Sequence, residues 1–141
     1  MQNTSHAVMA QRNEPKNSLD DFPTPPWATR ALIEHVIYHK SMLARMKCLE
    51  PACNRGFMSK VLVETFAEVV SSDVHPYGYG EIRDFIKTPM NAQSVDWVIT
   101  NPPFRLAEDF IKRGLDVARN GVAMLTRTTF IESVGLSLIH I

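Results

Sequence analysis

Cysteine is scarce in this 141-residue chain, with Cys48 and Cys53 its only two. Two thiols cannot build a disulfide framework, and no second Cys/His cluster stands at ligand spacing, so no metal site is expected. Long apolar runs are missing too. Nothing reaches the roughly 18 to 20 residues of a membrane span, and the opening MQNTSHAVMAQRNEPKNSLDDF lacks the apolar centre of a secretory signal. A soluble, cytoplasmic protein without membrane contact is the expectation. Charge of one sign is also absent, because 15 Lys and Arg balance 15 Asp and Glu. No overall field draws the chain to a polyanion, so nucleic-acid contact would have to come from local patches. What is present is ordinary globular composition, 45% hydrophobic and 21% charged, enough for one domain with a single core.

Residues 1–20 are polar and without period, and read as a flexible tail. From Asp20-Asp21-Phe22-Pro23-Thr24-Pro25-Pro26-Trp27 the character changes. Thr24 can cap a helix over 25–39 whose first positions are prolines, where a missing N–H costs nothing. Ala28, Leu32 and Val36, with Ile33 and Ile37 beside them, would face a core. A strand over 46–49 leads into Glu50-Pro51-Ala52-Cys53-Asn54-Arg55-Gly56, then a helix with Met58, Leu62 and Phe66 on one stripe. Glu68 to Ser72 reads as a second strand stopping at Asp73, and His75 to Gly80 as a loop. Asp84-Phe85 would end a short third strand. Ser94 to Thr100 is a buried fourth strand, halted by Asn101-Pro102-Pro103-Phe104. A helix to about 119, with Ala107, Phe110, Ile111, Gly114, Leu115 and Ala118 on one face, precedes a fifth strand near 122–125. Alternating strands and helices imply a doubly wound α/β fold, whose ligands bind beyond the carboxyl ends of the strands. Every unusual loop of the chain lies at such an end.

The first loop puts an acid, Glu50, ahead of a tight turn. Asn54 stands where glycine is usual; it tolerates positive φ but fills space that glycine leaves empty. Asp73 closes the next strand, from which a carboxylate reaches ribose hydroxyls. Loop and acid together fit either a dinucleotide or S-adenosylmethionine. The fourth strand discriminates. An amine conjugated to a purine ring, or an amide nitrogen, is a poor nucleophile because its lone pair is delocalised. Two fixed acceptors, the Asn101 side-chain oxygen and the Pro102 carbonyl, would hold its N–H bonds and favour the pyramidal nitrogen of the transition state. Pro102 and Pro103 stiffen this presentation, and Phe104 offers a stacking face to a planar substrate. Cys53 reads as a small filler rather than a nucleophile, and His75 either touches a ribose or lies in solvent. Trp27 and Trp97 read as core, and Lys112, Arg113 and Arg119 as a solvated helix face.

In order, Phe22-Pro23-Thr24-Pro25-Pro26, Glu50 to Gly56, Asp73, Asp84-Phe85 and Asn101-Pro-Pro-Phe104 resemble the S-adenosylmethionine-dependent amino-methyltransferases. Adenine-N6 DNA methyltransferases of phage and prophage type are the most similar. The resemblance covers about residues 20–135 and implies a seven-stranded Rossmann-like sheet, of which this chain has length for about five strands. It implies that Thr24 contacts the cofactor, that Glu50 and the loop from Pro51 and Ala52 through Asn54 to Gly56 lie by its amino-acid end, and that Asp73 binds ribose. Asp84 and Phe85 would then hold the adenine, and Asn101 to Phe104 would form the catalytic site, reached by a target adenine flipped out of DNA. RNA adenine, a protein glutamine amide and a non-catalytic cofactor-binding remnant are the alternatives. Residues 21–135 would be the methyltransferase core. Residues 136–141, which do not continue the family pattern, read as a foreign tail on an incomplete frame.

Overall fold

A computed structural model of the chain describes residues 22–37 and 39–132. The polar tail over 1–20 and the terminal segment over 136–141 lie outside the described residues. The strands are β1 (Lys47–Glu50), β2 (Glu68–Asp73), β3 (Glu81–Ile82), β4 (Val95–Thr100) and β5 (Ala118–Met124). They form one parallel sheet in the order β3-β2-β1-β4-β5. The helices are α1 (Pro26–His35), the single turn α2 (Lys40–Leu43), α3 (Phe57–Leu62) and α4 (Ala107–Val117). Alternation along the strands divides the core into two layers. Cys48 of β1 and Ile99 of β4 pack with Ile33, Ile37, Met58, Leu62 and Phe66, whereas Leu49 and Val98 pack with Phe85, Phe110 and Val117. Each such aliphatic side chain taken out of water contributes about 1.5 to 3 kcal/mol. The chain builds outward from β1 to β3, then returns to place β4 on the other side of β1. That reversal makes the carboxyl ends of β1 and β4 the topological switch point, where a doubly wound sheet leaves a crevice. Glu50 and Thr100 end those two strands. Among the described residues no helix is long and apolar enough to cross a membrane.

Several local expectations are corrected. The N-cap of α1 is Pro25 and receives no side-chain bond, so Thr24 does not cap the helix. The helix ends at His35, and its inward stripe is Thr29, Ile33 and then Ile37, leaving Val36 62% exposed and Trp27 71% exposed. Trp97, by contrast, packs half-buried against the core as expected, its ring lying over Gly121, where a Cβ would come within 2.6 Å of it. On α4 the buried residues are Ala107, Phe110, Gly114 and Val117, and Leu115 is exposed. The third strand ends at Ile82, so Asp84 and Phe85 lie in the turn beyond it. The fifth strand starts at Ala118, where α4 ends, ahead of its expected position. Arg113 is not on the solvated face: it is half-buried and donates to the Thr88 carbonyl.

Candidate active site

Glu50 is almost completely buried, at 1% exposure, beneath the turn that follows β1. Its carboxyl accepts from Ser59 Oγ at 2.5 Å and from Thr100 Oγ1 at 3.3 Å, and Ser59 in turn meets Ser71 Oγ at 2.6 Å. Burial raises its pKa to about 8, against the lowering effect of those bonds. Ser59 faces back because it sits three residues into the helix that Gly56 opens, with Gly56 at φ +87°. That left-handed turn also gives close approach, since a Cβ on Gly56 would lie 2.7 Å from the Tyr79 ring. Gly56→Ala should therefore destabilise by about 1 to 3 kcal/mol, with partial recovery in the Gly56→Ala, Tyr79→Ala double variant. Equal melting temperatures of single and double variants would show that Tyr79 is not the obstacle.

Asn54 adopts φ +51°, as expected of an asparagine replacing glycine. Asp73 holds it there. One Asp73 oxygen accepts from the Asn54 N–H at 2.9 Å and the other from the His75 N–H at 2.9 Å. Each oxygen keeps a second lone pair for a ligand hydroxyl. Asp73→Ala should cost about 1.5 to 3 kcal/mol per lost charge-assisted bond, and amide exchange at Asn54 and His75 should rise together. If only ligand affinity falls, Asp73 does not organise the turn. Asp84 accepts from the Ile86 and Lys87 N–H groups through one oxygen, at 3.0 and 3.1 Å.

These residues border one trough of about 190 Å³, lined by Ala52, Asn54, Asp73, Val74, His75, Tyr77, Asp84, Phe85, Ile86, Pro103, Arg105 and Phe110 among others. A smaller cleft of about 20 Å³ continues past Ala52 and Asn54 to Phe22, Thr24, Glu50, Cys53, Phe57 and Asn101. The trough pairs apolar walls with two carboxylates, which suits a nucleoside; the cleft ends at polar groups. Pro51 lines the trough beside Ala52, and Gly56 lines neither space. Cys53 is buried with its thiol pushed up to about 12, chiefly by burial, consistent with a filler.

At the end of β4, Asn101 Nδ2 donates to the Phe22 carbonyl at 2.8 Å and to Thr24 Oγ1 at 3.1 Å. Pro102 is buried and Phe104 is half-buried. The Phe104 ring stacks on Phe22 with centroids 5.6 Å apart, and Arg127 lies over it at 4.6 Å. Of the residues singled out from sequence, Pro51, Ala52, Asn54, Asp73, His75, Asp84, Phe85 and Pro103 line the trough and Thr24, Glu50 and Asn101 the cleft, whereas Gly56, Pro102 and Phe104 line neither. Val74, Tyr77, Ile86 and Phe110 in the trough, and Ser59 and Thr100 under Glu50, were not singled out. Phe22 was legible only as part of a Pro-rich segment; its partner lies 79 residues away.

No protein-family model matches the sequence, and no curated protein matches it. Solved structures do. A candidate RNA methyltransferase from Pyrococcus horikoshii is 18% identical with a TM-score of 0.64, over 89% of this chain and 75% of that one. The 23S rRNA methyltransferase ErmE is 14% identical with a TM-score of 0.61, over 81% and 51%. Phosphoethanolamine N-methyltransferase 1 from Haemonchus contortus, solved with phosphoethanolamine and S-adenosylhomocysteine, is 22% identical with a TM-score of 0.52, over 67% and 24%. The chain spans about a quarter of that last protein and half of ErmE. At these identities the likeness is one of architecture: the chain has a Rossmann-like α/β methyltransferase fold with five strands of the sheet.

Proposed function

We propose that the chain is the cofactor-binding and catalytic core of an S-adenosylmethionine-dependent methyltransferase that acts on the N6 amine of adenine in DNA. The observation that carries this reading is Asn101. Both of its N–H bonds are engaged by the 22–24 segment, so its Oδ1 is the atom left for a target amine. The trough fits an adenosine, with Asp73 toward ribose hydroxyls, Asp84 and Phe85 toward the base, and Val74 and Ile86 as apolar walls. The cleft at Glu50 and Thr24 would take the amino-acid end. His75 keeps the trough's rim beside Asp73.

A bound sulfonium donor supplies an electrophilic methyl carbon and leaves as a neutral thioether. Asn101 Oδ1 and the Pro102 carbonyl accept the amine's N–H bonds, directing its lone pair at that carbon. Transfer from such a donor would form the C–N bond at the expense of the C–S bond, whose electron pair would return to sulfur. The amine then loses its extra proton to solvent. Phe104 would stack the flat target once Arg127 or Phe22, which lie against its ring, moves aside.

Nucleic acid is favoured over protein by the pairing of cations with rings at the carboxyl ends of the strands. Arg55 lies 5.4 Å over Phe57, Lys60 5.5 Å over Tyr79 and Arg127 4.6 Å over Phe104. The acids at the amino ends are paired, Glu68 with Lys47 at 3.9 Å and Asp96 with Arg119 at 3.8 Å, and the chain is neutral in sum, so the case rests on these local cation–ring pairs. The test offers labelled S-adenosylmethionine and DNA, RNA and protein in parallel to the full chain. Label on DNA adenine is expected. Label on RNA alone, or on a glutamine amide, reassigns the substrate. Cofactor binding without transfer indicates a non-catalytic remnant, and tighter binding of NAD than of S-adenosylhomocysteine overturns the reading altogether.

A further inference from the structure

The segment ahead of α1 reaches across the sheet to the end of β4, and it does so through polar contacts. Thr24 is 5% exposed and does not cap its helix. Its hydroxyl instead accepts from Asn101 Nδ2 at 3.1 Å, while the Phe22 carbonyl accepts from the same nitrogen at 2.8 Å. A carbonyl can only accept, so the amide must turn its NH₂ toward Phe22, and Oδ1 must point the other way. An asparagine side chain is otherwise close to symmetric in shape, and nothing steric would choose between its two orientations. The anchor is itself stiff. Pro23, Pro25 and Pro26 restrict φ on either side of Thr24, and the backbone just before Asn101 is held where the Leu125 N–H donates to the Thr100 carbonyl at 3.0 Å.

We infer that Thr24, through its hydroxyl, and Phe22, through its carbonyl, are positioning residues that hold Asn101 with Oδ1 presented to the reacting nitrogen. This rests on the function proposed above, and it gives Thr24 a role through Asn101 that differs from cofactor contact. With the hydroxyl removed, one N–H loses its partner, and the amide can rotate about χ2 away from the geometry the transition state requires.

The full chain, labelled with ¹⁵N at asparagine, separates the two levels of the inference. The Asn101 NH₂ pair, identified by its absence from Asn101→Ala, should exchange slowly in the native chain. Thr24→Val should shift that pair and speed its exchange at least about fivefold, the scale of one neutral hydrogen bond, and Thr24→Ser should restore it. A pair that exchanges like a free amide, or that ignores Thr24→Val, overturns the inference. In methyl transfer, Thr24→Val should lower kcat roughly five- to tenfold with the cofactor KM held within about twofold, and Thr24→Ser should recover most of it. A raised cofactor KM at unchanged kcat would make Thr24 a cofactor contact and refute the positioning role. If the amide responds as described but no acceptor is methylated, the proposed function fails while the anchoring of Asn101 stands.

Discussion

Glu50→Gln is expected to raise the stability of the chain at pH 8.5 by an amount on the order of a few kcal/mol, and to change it little near pH 4.5. The carboxyl is buried, and its pKa is raised to about 8. In the unfolded chain it ionises near the usual 4.5. Between those values the unfolded state has released the proton and the folded state still holds it. Stability therefore falls by about 1.4 kcal/mol for each pH unit across that interval, and the loss is complete above the folded pKa. Glutamine has the same shape and does not titrate. It can accept from Ser59 Oγ, and the Thr100 hydroxyl can turn to accept from its NH₂, so neither partner is orphaned. Denaturant unfolding of both proteins from pH 5 to 9 reads the difference directly. Parallel pH profiles would mean that Glu50 ionises as readily in the folded state as in the unfolded one. Under the proposed function the same substitution should weaken cofactor binding, because a bound ammonium would favour release of the Glu50 proton and so gain a counter-charge, which glutamine cannot supply. Stability gained and affinity lost in one variant would mark Glu50 as a group kept for its ligand.

Why some of this was legible from sequence and some was not follows from how far each signal reaches. The strand ends at Glu50 and Thr100 could be read locally, because Pro51 and Asn101-Pro102-Pro103 follow at once and cannot extend an interior strand. The inward face of α1 could be read only in part: Ile33 and Ile37 are buried as expected, with Leu32 packed beside them, but Val36 is exposed and Thr29 is buried instead. Ala28, Leu32 and Val36 repeat every four residues, and so do Thr29, Ile33 and Ile37. Two neighbouring stripes of one helix are equally periodic, and only the sheet beneath decides that the second is buried, with a threonine in it. The two-residue β3 carries no pattern because both its residues are exposed. Glu50 reads as an acid at a strand end, and its burial, at 1% exposure, carries no local signal. Its partners Ser59 and Thr100 stand 9 and 50 residues away, and only their convergence makes the burial tolerable. The anchoring of Asn101 by Phe22 and Thr24 spans 77 to 79 residues and was invisible for the same reason.

Asn101→Ala is expected to reduce methyl transfer by roughly 10²-fold or more, the scale for losing one preorganised polar contact to a transition state. Cofactor affinity should change far less, because the trough proposed for the adenosine is lined by other residues. Asn101→Asp is the sharper experiment. A carboxylate matches the asparagine in shape and is the stronger acceptor, so if acceptance alone mattered the variant would be active. Here it would face the Phe22 carbonyl with no N–H to offer, and the two acceptors would repel across the 2.8 Å that a hydrogen bond now spans. The side chain should turn away, and turnover should fall at least as far as in the alanine variant. Phe104 provides the contrast. Phe104→Ala removes a stacking face and should cost about 1 to 3 kcal/mol of substrate affinity, whereas Phe104→Tyr and Phe104→Trp keep the face and most of the activity. Losses at Asn101 should thus fall on kcat and losses at Phe104 on KM, with partial rescue of Phe104→Ala where the target base is mismatched and easier to extrude. Wild-type turnover in Asn101→Ala would reduce the tetrapeptide to a turn. An active Asn101→Asp would instead show that an acceptor suffices, and that the Phe22 carbonyl does not govern the orientation of the group at the end of β4.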